Sequence, residues 1–189
     1  MSSHHIVREK QEPALLVIGL GDFPDELLGQ LLEWSPTVIT TPQTAEKLVA
    51  YGIKIDWIIS DVIDVVFQSD VKLMSCGGQN LTDAAFKFLL ENEYNAVNII
   101  TETFKPDDYS HFAGNIDLVV FQGYRKIFPV VSGFSKWKPA GDLIEILGRA
   151  THADFRGLTL IGQNRYLTDH DGLVTLYFNE AFLFIAEEL

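Results

Sequence analysis

The chain has 189 residues, 47% of them hydrophobic, which is enough to bury one substantial core or two small ones in contact and argues against disorder. Its 14 Lys and Arg against 26 Asp and Glu give a net charge of −12, the wrong sign for neutralising nucleic-acid phosphates or lying on an anionic membrane. A single cysteine, Cys76, excludes an intramolecular disulfide and a thiolate metal cluster, as suits a reducing compartment. The opening MSSHHIVREKQEPALLVIGL lacks the apolar core of a signal peptide, and no apolar run approaches spanning length; the expectation is a cytoplasmic protein with a small-molecule or protein partner.

From Ala14 to about Phe121, short apolar runs alternate with amphipathic stretches, the pattern of βα units on a mostly parallel sheet. Strands are expected over 14–20, 37–40, 55–60, 71–75, 96–101 and 117–121. A first helix takes Pro24 in its first turn, presents Leu27, Leu28, Leu31 and Leu32 on one face, and ends near Trp34. A second is capped by Thr41, has Pro42 in its first turn and stops at Gly52. A third is capped by Thr82, has Asp83 at its dipole-positive end, and buries Ala85, Phe86, Leu89 and Leu90.

After Phe121 the period changes to strand and turn, with strands expected over 125–131, 142–147, 172–178 and 181–186 and no helix among them. Asn179-Glu180 reads as a tight hairpin joining the last two, and Pro129 places its strand at an edge or bulge. The expected fold class is therefore α/β: a Rossmann-like, mostly parallel sheet domain over 1–122, then an all-β, sandwich-like domain over 123–189.

In an open parallel sheet, ligands bind beyond the carboxyl ends of the strands. The loops expected there carry Gly21-Asp22, Thr40-Thr41, Ser60-Asp61 with Asp64, Gly77-Gly78-Gln79-Asn80 and Thr101-Glu102. Several carboxylates on one rim suit a divalent cation, the usual partner of a nucleotide's phosphates. The plainer reading is that Thr82 and Asp83 serve as helix-start residues and Gly77-Gly78 as a turn. The Gly19-Leu20-Gly21 pair is not a dinucleotide fingerprint, because Pro24 takes the place of the third glycine.

The stretches YGIKIDWIISDVID (Tyr51 to Asp64) and QNLTDAAFKFLLENEYNAVNII (Gln79 to Ile100) resemble thiamine pyrophosphokinases, which carry GIKPDLIIGDFDS and then DQNKTD opening a helix. GDLIEILG at Gly141 to Gly148, FRGL at Phe155 to Leu158 and the closing strands extend the likeness over most of the chain. The resemblance implies a Rossmann-like domain plus a β-sandwich, a homodimer, and transfer of diphosphate from ATP to the hydroxyl of thiamine with Mg2+. Asp56, Asp61, Thr82 and Asp83 match the family positions. The resemblance makes Asp61 and Asp83 the catalytic residues, with Asp61 and Asp64 holding the metal. Gln79, Asn80, Thr82, His111 and Asn115 would bind substrate.

Departures accompany the match. TPQTAE, Thr41 to Glu46, replaces a glycine-rich ADGGAN turn; the second aspartate of DFDS falls on Ile63; the first residue of DQNKTD falls on Gly78. In the segment matching GGRxDHxLxN, from Pro106 to Asn115, only His111 and Asn115 agree, and Asp108 stands where the family has arginine. Loss of an oxygen ligand and reversal of a charge beside phosphates each cost transition-state stabilisation, about 10²-fold or more in rate. Two readings stand: a divergent thiamine pyrophosphokinase, or a non-catalytic ligand-binding or dimeric interaction protein on the same fold.

Overall fold

The computed structural model describes residues 12–62 and 70–189. Strands β1 (Ala14–Val17), β2 (Val38–Thr40), β3 (Trp57–Ile59), β4 (Lys72–Met74), β5 (Ala96–Ile100) and β6 (Asp117–Gln122) come first. They alternate with helices α1 (Asp25–Leu32), α2 (Pro42–Ala50), α3 (Leu81–Glu91) and the single turn α4 (Asp107–Ser110). Every neighbour pair among these six strands is parallel, in the order β6-β5-β1-β2-β3-β4. The four residues of β1, ALLV, are all buried. Ala14 and Leu16 pack under α3, while Leu15 and Val17 pack under α1 and α2. Covering both faces is what allows an unbroken apolar strand in a parallel sheet.

The second half adds β7 (Arg125–Val130), β8 (Phe134–Lys138), β9 (Leu143–Leu147), β10 (Asp154–Arg156), β11 (Leu158–Gly162), β12 (Arg165–Thr168), β13 (Gly172–Tyr177) and β14 (Leu183–Glu188). β7 pairs antiparallel with β6, so one 11-stranded sheet continues through β14, β9, β12 and β11. The remaining strands form a three-stranded antiparallel sheet, β10-β13-β8. Val174 and Leu176 of this sheet share a core with Val130, Ile144, Ile146 and Ile185 of the large one. The molecule is thus a mixed α/β fold, with a large sheet that is parallel in its first half and antiparallel beyond.

Several local expectations are corrected. The last two strands do not form a hairpin: β13 pairs with β10 and β8, whereas β14 pairs with β7 and β9. Their apolar side chains therefore meet each other across a core rather than facing outward. Pro129 lies in an interior strand, but the part of β7 that holds it pairs only with β14, since pairing with β6 ends at Val120 and Ile127. Its missing N–H thus costs no ladder bond on that side. Pro24 is the residue before α1 rather than inside its first turn, and α1 ends at Leu32. Thr41 caps α2 as expected, its hydroxyl accepting from Thr44 N at 3.3 Å, with Pro42 next to it. Among the described residues no helix is long and apolar enough to cross a membrane.

Candidate functional site

Because β1 to β5 run parallel, the loops that follow them open on one rim. β1 lies between β2 and β5, and the chain winds outward in opposite directions from that point. A crevice at such a reversal is where open α/β sheets receive ligands. Here it is lined by the Gly19-Leu20-Gly21 turn after β1 and by Glu102 after β5. A Cβ at Gly19 would meet Glu102 Oε1 at 3.1 Å and Cγ at 3.2 Å; one at Gly21 would meet Cγ at 3.0 Å. The Glu102 side chain therefore lies against the turn, an approach that the two glycines permit. The Glu102 carbonyl accepts from Gln122 Nε2 at 3.0 Å, fixing the loop.

Buried threonines knit the same rim. Thr40 donates its hydroxyl to the Val17 carbonyl at 2.8 Å, and Thr44 donates to Ile18 at 2.9 Å. Thr101 donates to the Thr103 carbonyl at 3.0 Å. Beside them burial, reinforced by the charge of Asp108, pushes the Tyr109 phenol up to about 12, with a Thr101 hydrogen bond opposing.

Asp61 follows β3 and reaches across to the loop after β4. Its Oδ1 accepts from Ser75 Oγ at 2.6 Å, Cys76 N at 2.7 Å and Gly77 N at 3.3 Å. Gly77 and Gly78, with φ of 58° and 80°, hold the left-handed turn that follows. The Ser75 hydroxyl foremost, and the Cys76 and Gly77 amides, hold the Asp61 carboxyl below its ordinary value against a smaller opposing effect of desolvation. Desolvation and then the Asp61 charge raise the Cys76 thiol, the opposite of an activated thiolate.

Asn80, not Thr82, caps α3. Its Oδ1 accepts from Asp83 N at 2.8 Å while its Nδ2 donates to Asp83 Oδ2 at 2.7 Å, a reciprocal arrangement like a capping box. Thr82 is half-buried in the first turn, and the side chain of Gln79 is exposed. Asp61, Gln79, Asn80, Thr82 and Asp83 thus gather around one loop and helix start, as topology led one to expect.

The other expected site residues do not join them. Asn115 lies just before β6, at the strand-entry end of the sheet, next to Asn95, whose carbonyl accepts from Asp117 N at 2.9 Å. His111 is exposed at the end of α4. Asp56, also at strand entry, accepts from Val38 N at 3.0 Å and pairs with Lys54 at 3.1 Å, a structural role. Asp64 lies outside the described residues. Among the described residues no three His, Cys, Asp or Glu side chains gather to hold a metal ion. Asp61, with Oδ2 taking no hydrogen bond among the described residues, fits one oxygen ligand of a hard cation. Sequence reasoning missed the Glu102 contact, since nothing in the local pattern links residues 19 and 102.

No protein-family model matches the sequence, and no curated protein matches it. Solved structures do. The thiamine pyrophosphokinase of Bacillus subtilis superposes with a TM-score of 0.67 at 14% identity, covering 94% of this chain and 99% of that one. The thiamin pyrophosphokinase of Geobacillus thermodenitrificans gives 0.70 at 9% identity, covering 93% and 96%. The yeast enzyme gives 0.62 at 12% identity, covering 98% and 88%. Over nearly its whole length, the chain has the fold of the thiamine pyrophosphokinases.

Proposed function

We propose that the protein binds a small cationic ligand in the rim crevice of a thiamine pyrophosphokinase fold and does not transfer diphosphate from ATP. One observation carries this reading: two places where backbone could receive a phosphate already hold the chain's own carboxylates. Glu102 covers the Gly19-Gly21 turn, and Asp61 fills the cradle of Ser75, Cys76 and Gly77. Diphosphoryl transfer requires donors and cations aimed at phosphate oxygens. A carboxylate in each position opposes that charge, and Asp108 in place of an arginine does the same. A cationic ring such as the thiazolium of thiamine is favoured by the same groups.

In this reading the α/β half, 1–122, carries the site, the strands of 123–189 form a sandwich-like domain, and the molecule is a cytoplasmic homodimer. Isothermal titration with thiamine, ATP and Mg2+, separately and together, tests it. Thiamine is expected to bind without MgATP and to yield no thiamine diphosphate. Product formation would overturn the proposal, and binding of neither substrate would leave a dimeric interaction protein. The second reading, an active enzyme with Mg2+ on Asp61 and Asp64, is favoured by the unengaged Oδ2 of Asp61. In it Asp83 would orient the thiamine hydroxyl, with Gln79, Asn80 and Thr82 positioning the substrates.

A further inference from the structure

We propose that the groove between β6, β7 and β8 is a second binding site, for a small organic anion with a flat apolar body such as an aryl carboxylate or sulfonate. The groove encloses about 520 Å³, within the range of small-molecule pockets. It opens where β6 and β7 diverge: their pairing stops at Val120 and Ile127, while each strand continues against its other neighbour. Pro129, which has no N–H, sits on the wall so exposed. The groove lies at the strand-entry end of β6, away from the rim crevice.

Its lining is aromatic with a cationic edge. Phe128, Phe134 and Phe182 supply ring surface, and Phe128 meets Phe134 edge-on at 6.1 Å. The ammonium groups of Lys126 and Lys136 each stand 5.7 Å from the Phe128 ring centroid. The two lysines differ in what they already hold. Lys136 is bound to the buried Glu187 at 2.7 Å, and Lys138 reaches the same oxygen at 3.3 Å while also pairing with Asp142 at 3.1 Å. Lys126, opposite Glu187 in the β7–β14 register, has no carboxylate within ion-pair distance among the described residues. Three lysines thus face two carboxylates there, and Lys126 is the surplus charge. Asp117, on the β6 wall, is exposed and screened by solvent.

Charge complementarity identifies the occupant. On a chain of net charge −12, an unpaired ammonium beside three phenyl rings is a local exception that attracts anions the rest of the surface repels. The anionic head would sit on Lys126 and the apolar body between the rings, the division of labour usual in small-molecule sites.

Titration of the full chain with anilinonaphthalene sulfonate, and with the uncharged phenylnaphthylamine, tests this directly. One sulfonate is expected to bind per chain, with affinity falling as salt rises. Lys126→Gln should weaken it about tenfold or more and Lys126→Arg should retain it, while the neutral compound binds both variants alike. Because Lys126 is only partly buried, both variants should keep the wild-type circular dichroism and melting temperature. Three results would overturn the proposal: Lys126→Gln binding the sulfonate as tightly as wild type, the neutral compound binding as tightly as the sulfonate, or no binding at all. Binding only after a dimer dissociates would also overturn it, assigning the groove to a second copy of the chain.

Discussion

Replacing Gly19 and Gly21 by alanine, one at a time, separates the two reasons for glycine at the rim. Both would press a Cβ on Glu102, at 3.1 Å from Oε1 for Gly19 and 3.0 Å from Cγ for Gly21. Only Gly21 has a left-handed backbone, with φ of 47°. Alanine in that region costs about 1–2 kcal/mol. Each substitution also gains roughly 0.4–1 kcal/mol by restricting the unfolded chain. Glu102 is exposed and flexible, so it yields cheaply in either case. Gly19→Ala should therefore be neutral or slightly stabilising, and Gly21→Ala should lie about 1–2 kcal/mol below it. For a chain of this size that gap is roughly 2–8 °C in melting temperature, readable by differential scanning calorimetry. Adding Glu102→Ala should leave the gap unchanged, because it is a backbone cost. Equal melting temperatures for the two single variants, or closure of the gap by Glu102→Ala, would refute the reasoning.

Asn80→Ala should destabilise the fold by about 1 kcal/mol in urea titration, and Thr82→Ala by clearly less, because Asn80 is the cap of α3. Phe86 is fully buried and stacked on Phe112 at 4.3 Å, so Phe86→Ala should cost about 3–5 kcal/mol by the same measurement. The Tyr109 phenol, pushed up to about 12, favours the neutral folded state. Its contribution is full below the unfolded value near ~10 and is lost as pH rises toward 12, at roughly 1.4 kcal/mol per pH unit, and Tyr109→Phe should flatten that segment of the stability curve. Asp61, held below 3.8, keeps its cradle closed above that value; amide exchange at Cys76 and Gly77 should accelerate as pH falls through the lowered value, relative to distant amides, and in Asp61→Ala it should be fast at all pH.

The parallel half was legible because its strands are buried on both faces, so each apolar run stands out between helices whose caps are local. Thr41 with Pro42 is such a case. The cap of α3 was misread because NLTD offers two good capping residues; Asp83 decides for Asn80 by reaching back to it. Beyond Gly123, strands β8 and β11 are mostly exposed, FSKWK and LTLIG, and present no clean alternation for a reader to follow. The Asn179-Glu180 turn signal was real locally, yet strand partners are chosen by burial. Leu183 and Ile185 face Val174 and Leu176 across a core, an arrangement that a flat hairpin cannot make. The site divides the same way. Asp61 and Asp83 were placed correctly because topology alone puts both at the strand-exit rim, whereas Glu102 meets Gly19 only through the pairing of β1 with β5.

The residues that agree with the thiamine pyrophosphokinase pattern share a property that bears on function. Asp56 ties the entries of β2 and β3, Asp61 pins the loop after β4, and Asn80 with Asp83 closes the start of α3. Each has a structural task that survives without any reaction. The departures fall where no such task holds a side chain: Gly78 has none, and Asp108 makes no side-chain hydrogen bond or ion pair among the described residues. Agreement at the first set therefore follows from keeping the fold, and it carries little weight for chemistry. The substitution pattern to test is consequently not the loss of Asp61 or Asp83, which would disturb structure in either reading, but relief of the blocking carboxylate. Glu102→Gln keeps the side chain's size and removes its charge. If the crevice is built for a cation, thiamine binding should weaken while MgATP still fails to bind; a gain of MgATP binding with no loss of thiamine would show that Glu102 merely occupies a phosphate site.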